Sequence, residues 1–168
     1  MRYPTSLFIA LVAGLALAAN ESAPTSAQLA VVDAHLKEIG VIGEIPSEYV
    51  KVKAVSKPGD GQIALAVLYT HERPNGSGND YHRRLAVFLT VGSGLSAPID
   101  IIAGGAARRS LTLREVTPDR VVLDAMNYAP QDAICCPSIP GVVTYRLSES
   151  ALVEAGSPNK PLQRWGSR

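Results

Sequence analysis

The sequence has only two cysteines, and this scarcity excludes several kinds of exported protein. Cys135 and Cys136 are adjacent in a chain of 168 residues. One neighbouring pair cannot build the network of disulfides that holds small secreted domains together. A Cys-x-x-Cys redox motif is absent as well, and two sulfur atoms alone do not complete a four-ligand zinc site. The protein must therefore depend on a hydrophobic core for its stability, and 168 residues are enough to form one.

The sequence also lacks an excess of charge of either sign. Its 16 Lys and Arg residues stand against 15 Asp and Glu residues. One of the cations is Arg2, which lies in the predicted leader described below, so the mature chain is neutral. No basic block is present. These properties give no electrostatic basis for binding nucleic acid or an anionic membrane surface. No motif indicates a cofactor.

Long apolar runs are missing except at the N-terminus, where the pattern is that of a secretory signal peptide. A short cationic start at Met1-Arg2 precedes an apolar run over residues 7–15 and a small-residue cleavage pattern over residues 16–18. The run is shorter than the roughly 20 residues that span a bilayer. We predict a signal peptide at 1–18, a single exported domain at 19–156 and a disordered tail at 157–168. The protein is then periplasmic or secreted, without stable membrane insertion after cleavage. The alternative is an uncleaved anchor.

The first regular element that the pattern predicts is an amphipathic helix over residues 26–39. Thr25 and Gln28 have the spacing of a capping box, and Gly40 stands where a helix commonly ends. The apolar positions follow spacings of three and four, which form one stripe: Leu29, Val32, Leu36 and Ile39. We expect this stripe to pack against a sheet. His35 is expected on or beside the polar side, in contact with solvent.

After residue 48 the pattern changes to short apolar or alternating runs separated by turn residues. The predicted strands are 50–55, 63–69, 85–91, 99–102, 111–116, 121–126, 143–147 and 151–153. Most connections are too short for crossover helices, which favours antiparallel pairing. The expected fold is α+β and mainly β: the N-terminal helix packs on a curved antiparallel sheet or flattened barrel of seven or eight strands.

Several landmarks in this region resemble a group of small exported bacterial proteins and lipoproteins whose function is uncharacterised. They are Gly59-Asp60-Gly61 before an apolar strand, the run at residues 84–89, Asp132-Ala133-Ile134-Cys135-Cys136-Pro137-Ser138, and Tyr145-Arg146-Leu147. The resemblance implies an envelope location and a small β-rich fold. Related chains often carry several acidic residues before the apolar strand, in the manner of a calcium loop. Only Asp60 is present here, so Gly59–Gly61 is interpreted as a plain turn.

The cysteine pair allows three interpretations in an oxidising compartment. Cys135 and Cys136 form a ring disulfide, remain as two thiols of which one or both are buried, or bind a soft metal. A ring disulfide is strained in principle, because adjacent Cα atoms are about 3.8 Å apart whereas ordinary bridges prefer roughly 4.4–6.8 Å. Pro137 favours an extended Cys136 and so a stiff loop. The structural interpretation is favoured over redox or metal chemistry.

A second candidate site lies around the long hairpin tip between residues 71 and 84. Its chemistry-bearing side chains are His71, Glu72, Asp80, Tyr81 and His82. Two histidines at opposite ends of one hairpin loop can face each other across the ladder. Imidazole and carboxylate suit a transition metal, so His71, Asp80 and His82 are a possible ligand or metal set.

No motif predicts catalytic residues. A Ser–His–Asp set assembled from Ser138, His82 and Asp132 lacks a nucleophile elbow. The leading hypothesis is a non-enzymatic binding or structural module of the cell envelope, with an envelope partner or a small ligand. The alternative is a thiol- or metal-dependent periplasmic activity centred on Cys135 and Cys136.

Overall fold

A computed structural model of the chain describes residues 23–42, 50–56, 62–72 and 80–156. Several predicted segments lie outside these residues. They are the signal peptide at 1–18, the turn at Gly59–Gly61, the hairpin tip at 74–79 and the tail at 157–168.

Helix α1 spans Ser26–Ile42, the only helix among the described residues. The predicted capping box is confirmed: the Gln28 N–H donates to Thr25 Oγ1 at 3.3 Å, and the Thr25 N–H donates to Gln28 Oε1 at 3.0 Å. The predicted end at residue 39 is wrong, because the helix continues through Gly40. A helix tolerates an interior glycine at a cost of about 1 kcal/mol relative to alanine. In the part of the chain that the structure describes, no helix is both long and apolar enough to cross a membrane.

The described residues form nine strands, all paired antiparallel. They are β1 (Val50–Ser56), β2 (Ile63–Glu72), β3 (Tyr81–Val91), β4 (Gly94–Leu95), β5 (Ile99–Gly105), β6 (Arg109–Thr117), β7 (Arg120–Asn127), β8 (Ile139–Ser148) and β9 (Ala151–Glu154). Eight of them form one open sheet in the order β1-β2-β3-β5-β6-β7-β8-β9, and β4 pairs with β3. Each of the eight predicted strands is present and extends one or more residues beyond its predicted bounds, and the two-residue β4 was not expected.

Strands β2 and β3 are buried on both faces, which explains their continuous apolar sequence. On one face Leu65, Val67 and Phe88 pack with Val32 of α1, and Leu36 and Ile39 lie partly buried against the same cluster. The predicted stripe is wrong at Leu29, which is 44% exposed. On the other face a larger core joins side chains from seven strands, among them Leu68, Leu85, Val87, Leu111, Leu123, Tyr145 and Leu152.

The sheet is least continuous between β5 and β6, where the ladder consists of the single pair Gly105↔Arg109. Arginine side chains supply donors to carbonyl groups at this seam. Arg109 Nε donates to the Ala103 carbonyl at 2.8 Å, and Arg83 Nη2 donates to the Leu111 carbonyl at 3.1 Å. Because a buried carbonyl without a partner is costly, these side chains compensate for the short ladder.

Candidate functional site

Asp100 of β5 is the centre of a polar cluster between α1 and the sheet. Its Oδ2 accepts a hydrogen bond from the Tyr69 hydroxyl and lies 2.9 Å from His35 Nε2. Its Oδ1 accepts from Arg84 Nε at 2.9 Å, and the same Nε lies 3.0 Å from the Tyr69 hydroxyl oxygen. A carboxylate can only accept, so His35 carries a proton on Nε2. The Asp100 side chain is 11% exposed, and its burial is compensated by these donors.

His35 contradicts its predicted place on the polar side of the helix. Its side chain is largely buried, and its ring meets the Phe88 ring edge-on, with centroids 5.8 Å apart. The physical reason is its position three residues after Val32 and four before Ile39, which puts it on the sheet-facing stripe. The polar cluster gives this buried imidazole a partner.

The electrostatics of the cluster favour a charged Asp100–Arg84 pair beside a neutral tyrosine. Burial and then the Asp100 charge raise the pKa of Tyr69 well above its ordinary value, so its hydroxyl stays protonated and donates. Burial acts to lower the pKa of Arg84, but Asp100 and then Tyr69 raise it above its ordinary value. Through these contacts the cluster joins α1 to β2, β3 and β5.

His71 and His82 lie directly opposite each other in the β2–β3 ladder, which confirms the predicted juxtaposition. In the same ladder, two positions along each strand, Tyr69 pairs with Arg84 of the Asp100 cluster. His71 is not a solvated loop residue: it is 8% exposed, and among the described residues its Nε2 has no hydrogen-bond partner. Burial, then the charges of Arg84 and His82, lower the pKa of His71, whereas Asp100 opposes the shift. His71 is thus held in its neutral form.

The metal interpretation of this hairpin receives no further support from the geometry. Within the described ranges, no group of three or more His, Cys, Asp or Glu side chains is arranged to hold a metal ion. Glu72, Asp80 and His82 each have an interaction partner. A ligand role for His71, Asp80 and His82 stays a prediction.

The cysteines lie in the connection between β7 and β8, which we call the disulfide loop (residues 128–138). Cys135 and Cys136 are joined to each other, and both are exposed. Of the three interpretations, the structure has the ring disulfide. Its functional role is a separate matter and stays a prediction.

Asp132 organises the disulfide loop. Its carboxylate accepts the Ala129 N–H at 2.7 Å, the Ser138 N–H at 2.9 Å and the Ser138 hydroxyl at 2.9 Å. These bonds, the one from Ala129 first, lower the pKa of Asp132. The Tyr128 hydroxyl also donates to the Ile134 carbonyl. The loop therefore has a hydrogen-bonded frame that does not involve either sulfur atom.

The frame also bears on the Ser138–His82–Asp132 set. Asp132 and Ser138 do contact each other, but the serine hydroxyl donates to the carboxylate itself instead of to an imidazole. In a catalytic triad the carboxylate orients the histidine, and the histidine contacts the serine. The contact between Asp132 and Ser138 holds the disulfide loop together and does not form a catalytic triad.

The two sites predicted from the sequence, the His71–His82 pair and the disulfide loop, lie at the same end of the sheet but on different strands. One row of ladder pairs runs across that end: His71↔His82, His82↔Gly105, Gly105↔Arg109 and Arg109↔Asn127. The disulfide loop begins after Asn127, so β5 and β6 separate it from the histidine pair along the sheet.

A second buried polar cluster, centred on Arg109, was not foreseen from the sequence. The Arg109 guanidinium donates to both carboxylate oxygens of Glu154, at 2.9 and 2.7 Å, and to the Tyr145 hydroxyl at 2.8 Å. The hydrogen bond to Glu154 is the main reason that the pKa of Arg109 is raised, and Arg109 lowers the pKa of Glu154. Burial raises the pKa of Tyr145 to about 12. This bidentate pair links β6 to β9.

The residues of the two buried polar clusters share one weak feature in the sequence. They are Tyr69, Arg84, Asp100 and the residues of the Arg109 cluster. Each is a polar residue inside or beside an apolar strand, such as Tyr69 at the end of the run that begins at Ile63. A charged residue within such a strand indicates a buried partner, because an unpaired buried charge is costly. The identity of that partner depends on strand order, which the sequence pattern does not contain.

Comparisons with known proteins find no matching family model, no matching curated protein and no matching solved structure, so the resemblance described above stays a prediction.

Proposed function

We propose that this protein is an exported, non-enzymatic binding module of the cell envelope, periplasmic or secreted, that contacts a protein partner through the β7–β8 end of its sheet. The contact surface, which we call the β7–β8 platform, comprises Met126, Ile134, Ile139 and Val142 together with the Cys135–Cys136 disulfide. The single observation that carries the proposal is the concentration of exposed apolar side chains at this place.

The platform holds four of the eight large hydrophobic side chains that are exposed among the described residues. Ile134 is 55% exposed and Val142 is 56% exposed. Met126 pairs with Pro140 and Asp124 pairs with Val142, so Met126 and Val142 share one face of adjacent strands. Ile139 pairs with Asn127 and lies at the strand end beside the loop, on the opposite face. Single exposed apolar residues are normal, but a group of them is typical of an interaction surface.

The hydrogen-bonded conformation of the disulfide loop also supports an interaction surface. The bonds of Asp132 and Tyr128 hold Ile134 and the disulfide in a defined position although neither contributes to the core. A preorganised apolar surface loses less conformational entropy when a partner binds. This argument favours a binding role over a purely structural one.

The shape and charge of the platform favour a protein partner. Small ligands usually bind in concave pockets that cover most of their surface, whereas the platform is one end of two paired strands with the loop that joins them. The neighbouring charges Arg114 and Asp124 pair with each other at 3.3 Å, and the sequence has no basic block of the kind that binds nucleic acid. A protein surface with a complementary apolar patch fits these properties.

The non-enzymatic part of the proposal is supported by the hydrogen bonding of the two carboxylates at the candidate sites. Asp100 and Asp132 each accept several hydrogen bonds from fixed protein donors. Export is supported by the leader pattern at residues 1–18. We also propose that the sheet is curved around its larger core, because Arg109 of β6 reaches Glu154 of β9 and the Ile63 N–H reaches the Pro118 carbonyl at 2.9 Å.

Site-specific photo-crosslinking in a bacterial host that carries the gene tests the proposal. A photoreactive residue at Val142 should give a discrete adduct with another envelope protein. The matched control is Val91, which is 61% exposed and lies on β3, outside the platform. Met126→Asp should abolish the adduct formed from position 142. Equal adducts from both positions, or none from position 142, would contradict the proposal.

The alternative function, a thiol- or metal-dependent activity centred on Cys135 and Cys136, is favoured by one observation, the exposure of both residues. Replacement of both cysteines by serine separates the hypotheses. A binding module of the kind proposed keeps a discrete crosslink at Val142, lowered in yield at most in part, because the disulfide is one component of the platform and its apolar side chains remain. A thiol-dependent activity is lost completely.

A further inference from the structure

The Cys135–Cys136 disulfide is accessible from solvent and has no competing thiol within the protein. Both residues are exposed, and so is the preceding Ile134. The chain contains no other cysteine. An external thiolate can therefore approach the disulfide, and the released cysteine can react only with its neighbour or with an external thiol.

The loop that carries the disulfide does not depend on it for its conformation. Asp132 joins the two sides of the loop through Ala129 and Ser138. The Cys136 N–H also donates to the Ala133 carbonyl at 2.9 Å, a turn bond made by the backbone. A disulfide between adjacent residues closes a very short loop, so the chain-entropy stabilisation expected from it is small. Breaking the bond should leave the frame in place.

We propose that Cys135–Cys136 is a reversible exchange site for an external dithiol, which converts an apolar disulfide ring on the protein surface into two neighbouring thiols. The site belongs to none of the buried polar clusters. It does not depend on the proposed function, although reduction would change the chemistry of the β7–β8 platform.

The reaction balances with the dithiol as the only co-reactant. A thiolate of the dithiol attacks one sulfur of the pair and forms a mixed disulfide, and the other cysteine leaves as a thiolate that takes up a proton. The second thiol of the reagent, after loss of its proton, attacks the mixed disulfide and releases the first cysteine. The protein disulfide gains two electrons and two protons, and the dithiol is oxidised to its disulfide.

Thiol titration of the folded protein tests the exchange. The protein is treated with dithiothreitol in native buffer, freed of reagent and titrated with a chromogenic disulfide. We expect two thiols for each chain, formed at a rate within about tenfold of that of a peptide spanning residues 128–140, because access is not restricted. The Cys135→Ser/Cys136→Ser variant should give no signal. Thiols that appear only after addition of urea would overturn the proposal.

Thermal unfolding tests whether the frame survives reduction. We expect the melting temperature of the reduced protein to lie within about 2 °C of that of the oxidised protein, and Asp132→Ala to lower it by more than reduction does. The opposite order would show that the disulfide holds the loop and would also overturn the proposal. Neither readout uses the crosslink at Val142, so failure of the partner hypothesis and failure of the exchange hypothesis are distinguishable.

Discussion

At the scale of single residues, the buried polar groups differ in how well they are satisfied. Asp100 accepts from three different side chains, and the Arg109 guanidinium has a carboxylate, a hydroxyl and a carbonyl as partners. Within the part of the chain that the structure describes, His71 Nε2 has no partner. Arg83 Nε has none there either, although the other nitrogens of Arg83 donate to Thr70 and Leu111. A complete network stabilises the fold, whereas an incomplete one makes the fold sensitive to its environment. The stability of the protein should therefore depend differently on the fully hydrogen-bonded Asp100 and on the incompletely hydrogen-bonded His71, as mutation and pH can test.

Replacement of Asp100 by Asn should destabilise the protein by about 2–4 kcal/mol, because it leaves the largely buried Arg84 without its counter-ion. The free energy of unfolding in urea measures the effect. Asp124→Asn is the control, since its ion pair with Arg114 is exposed and should contribute less than about 1 kcal/mol. Similar losses for the two variants would show that the Asp100 cluster does not hold the helix to the sheet.

The pH dependence of stability should contain a contribution from His71. Its pKa in the folded protein is lowered, mainly by burial, so the unfolded chain binds a proton more readily. The stabilisation is therefore fully present above the unfolded pKa of about 6.5 and is lost as the pH falls below it toward the folded pKa. Arg84, His82 and Asp100 are the charged groups that act on this ring. Unfolding in urea at pH 7.5 and pH 5 should show a smaller loss for His71→Leu than for the wild type; an equal loss in both would contradict the assignment.

At the scale of secondary-structure elements, the weakest connection in the sheet is the seam between β5 and β6. The ladder has one pair there, and the turn that follows contains Ala107 at φ 56°. Gly105, the last residue of β5, has φ 132°, and a Cβ at this position would lie 2.4 Å from the Tyr81 carbonyl oxygen. The close approach of β3 and β5 at this point therefore requires glycine.

Gly105→Ala should lower the free energy of unfolding by about 2–4 kcal/mol, since it combines an unfavourable φ with a backbone clash. Gly92→Ala is a suitable control: Gly92 also has a positive φ, 56°, but a Cβ added there would meet nothing within 4 Å. Its cost should be limited to the backbone contribution of about 1–2 kcal/mol. Urea denaturation of both variants separates the two contributions, and equal costs would mean that Tyr81 can move aside.

At the scale of the whole molecule, the chain combines one core shared by most strands with a smaller one under the helix. The larger core contains residues of β2, β3 and β5–β9, and the smaller one contains Val32 with residues of β2 and β3. Four of the eight large hydrophobic side chains that are exposed among the described residues lie at the β7–β8 end, whereas Leu29 and Val31 are exposed on α1 itself. The helix packs on β2 and β3 and not on the proposed platform.

The exported protein should begin at Ala19. The pattern Ala16-Leu17-Ala18 follows an apolar run of suitable length, and cleavage after the last small residue is expected. N-terminal sequencing of the protein recovered from the periplasm or the medium measures this directly. A mature chain that starts at Met1 would remove the main argument for an envelope location.

The sequence by itself determined the order and type of most elements of this protein, although not the end of α1 or the short β4. The Thr25–Gln28 capping box, the alternation of β8 and the turn at Pro118-Asp119 are local features, because a cap, a strand face or a hairpin depends on neighbouring residues only. The facing pair His71 and His82 could be predicted for the same reason, since one hairpin sets its register.

Only the tertiary structure decided which polar residues meet. His35 reaches Asp100 across 65 positions of sequence, and Arg109 reaches Glu154 across 45. Such contacts follow from the strand order and from the open seam between β5 and β6, which no local pattern encodes. The exposure of Cys135 and Cys136 was decided in the same way, because their loop is framed by Asp132 on the outside of the sheet and not packed into the core. Local physics specifies the elements, whereas burial and long-range pairing specify what each side chain can do.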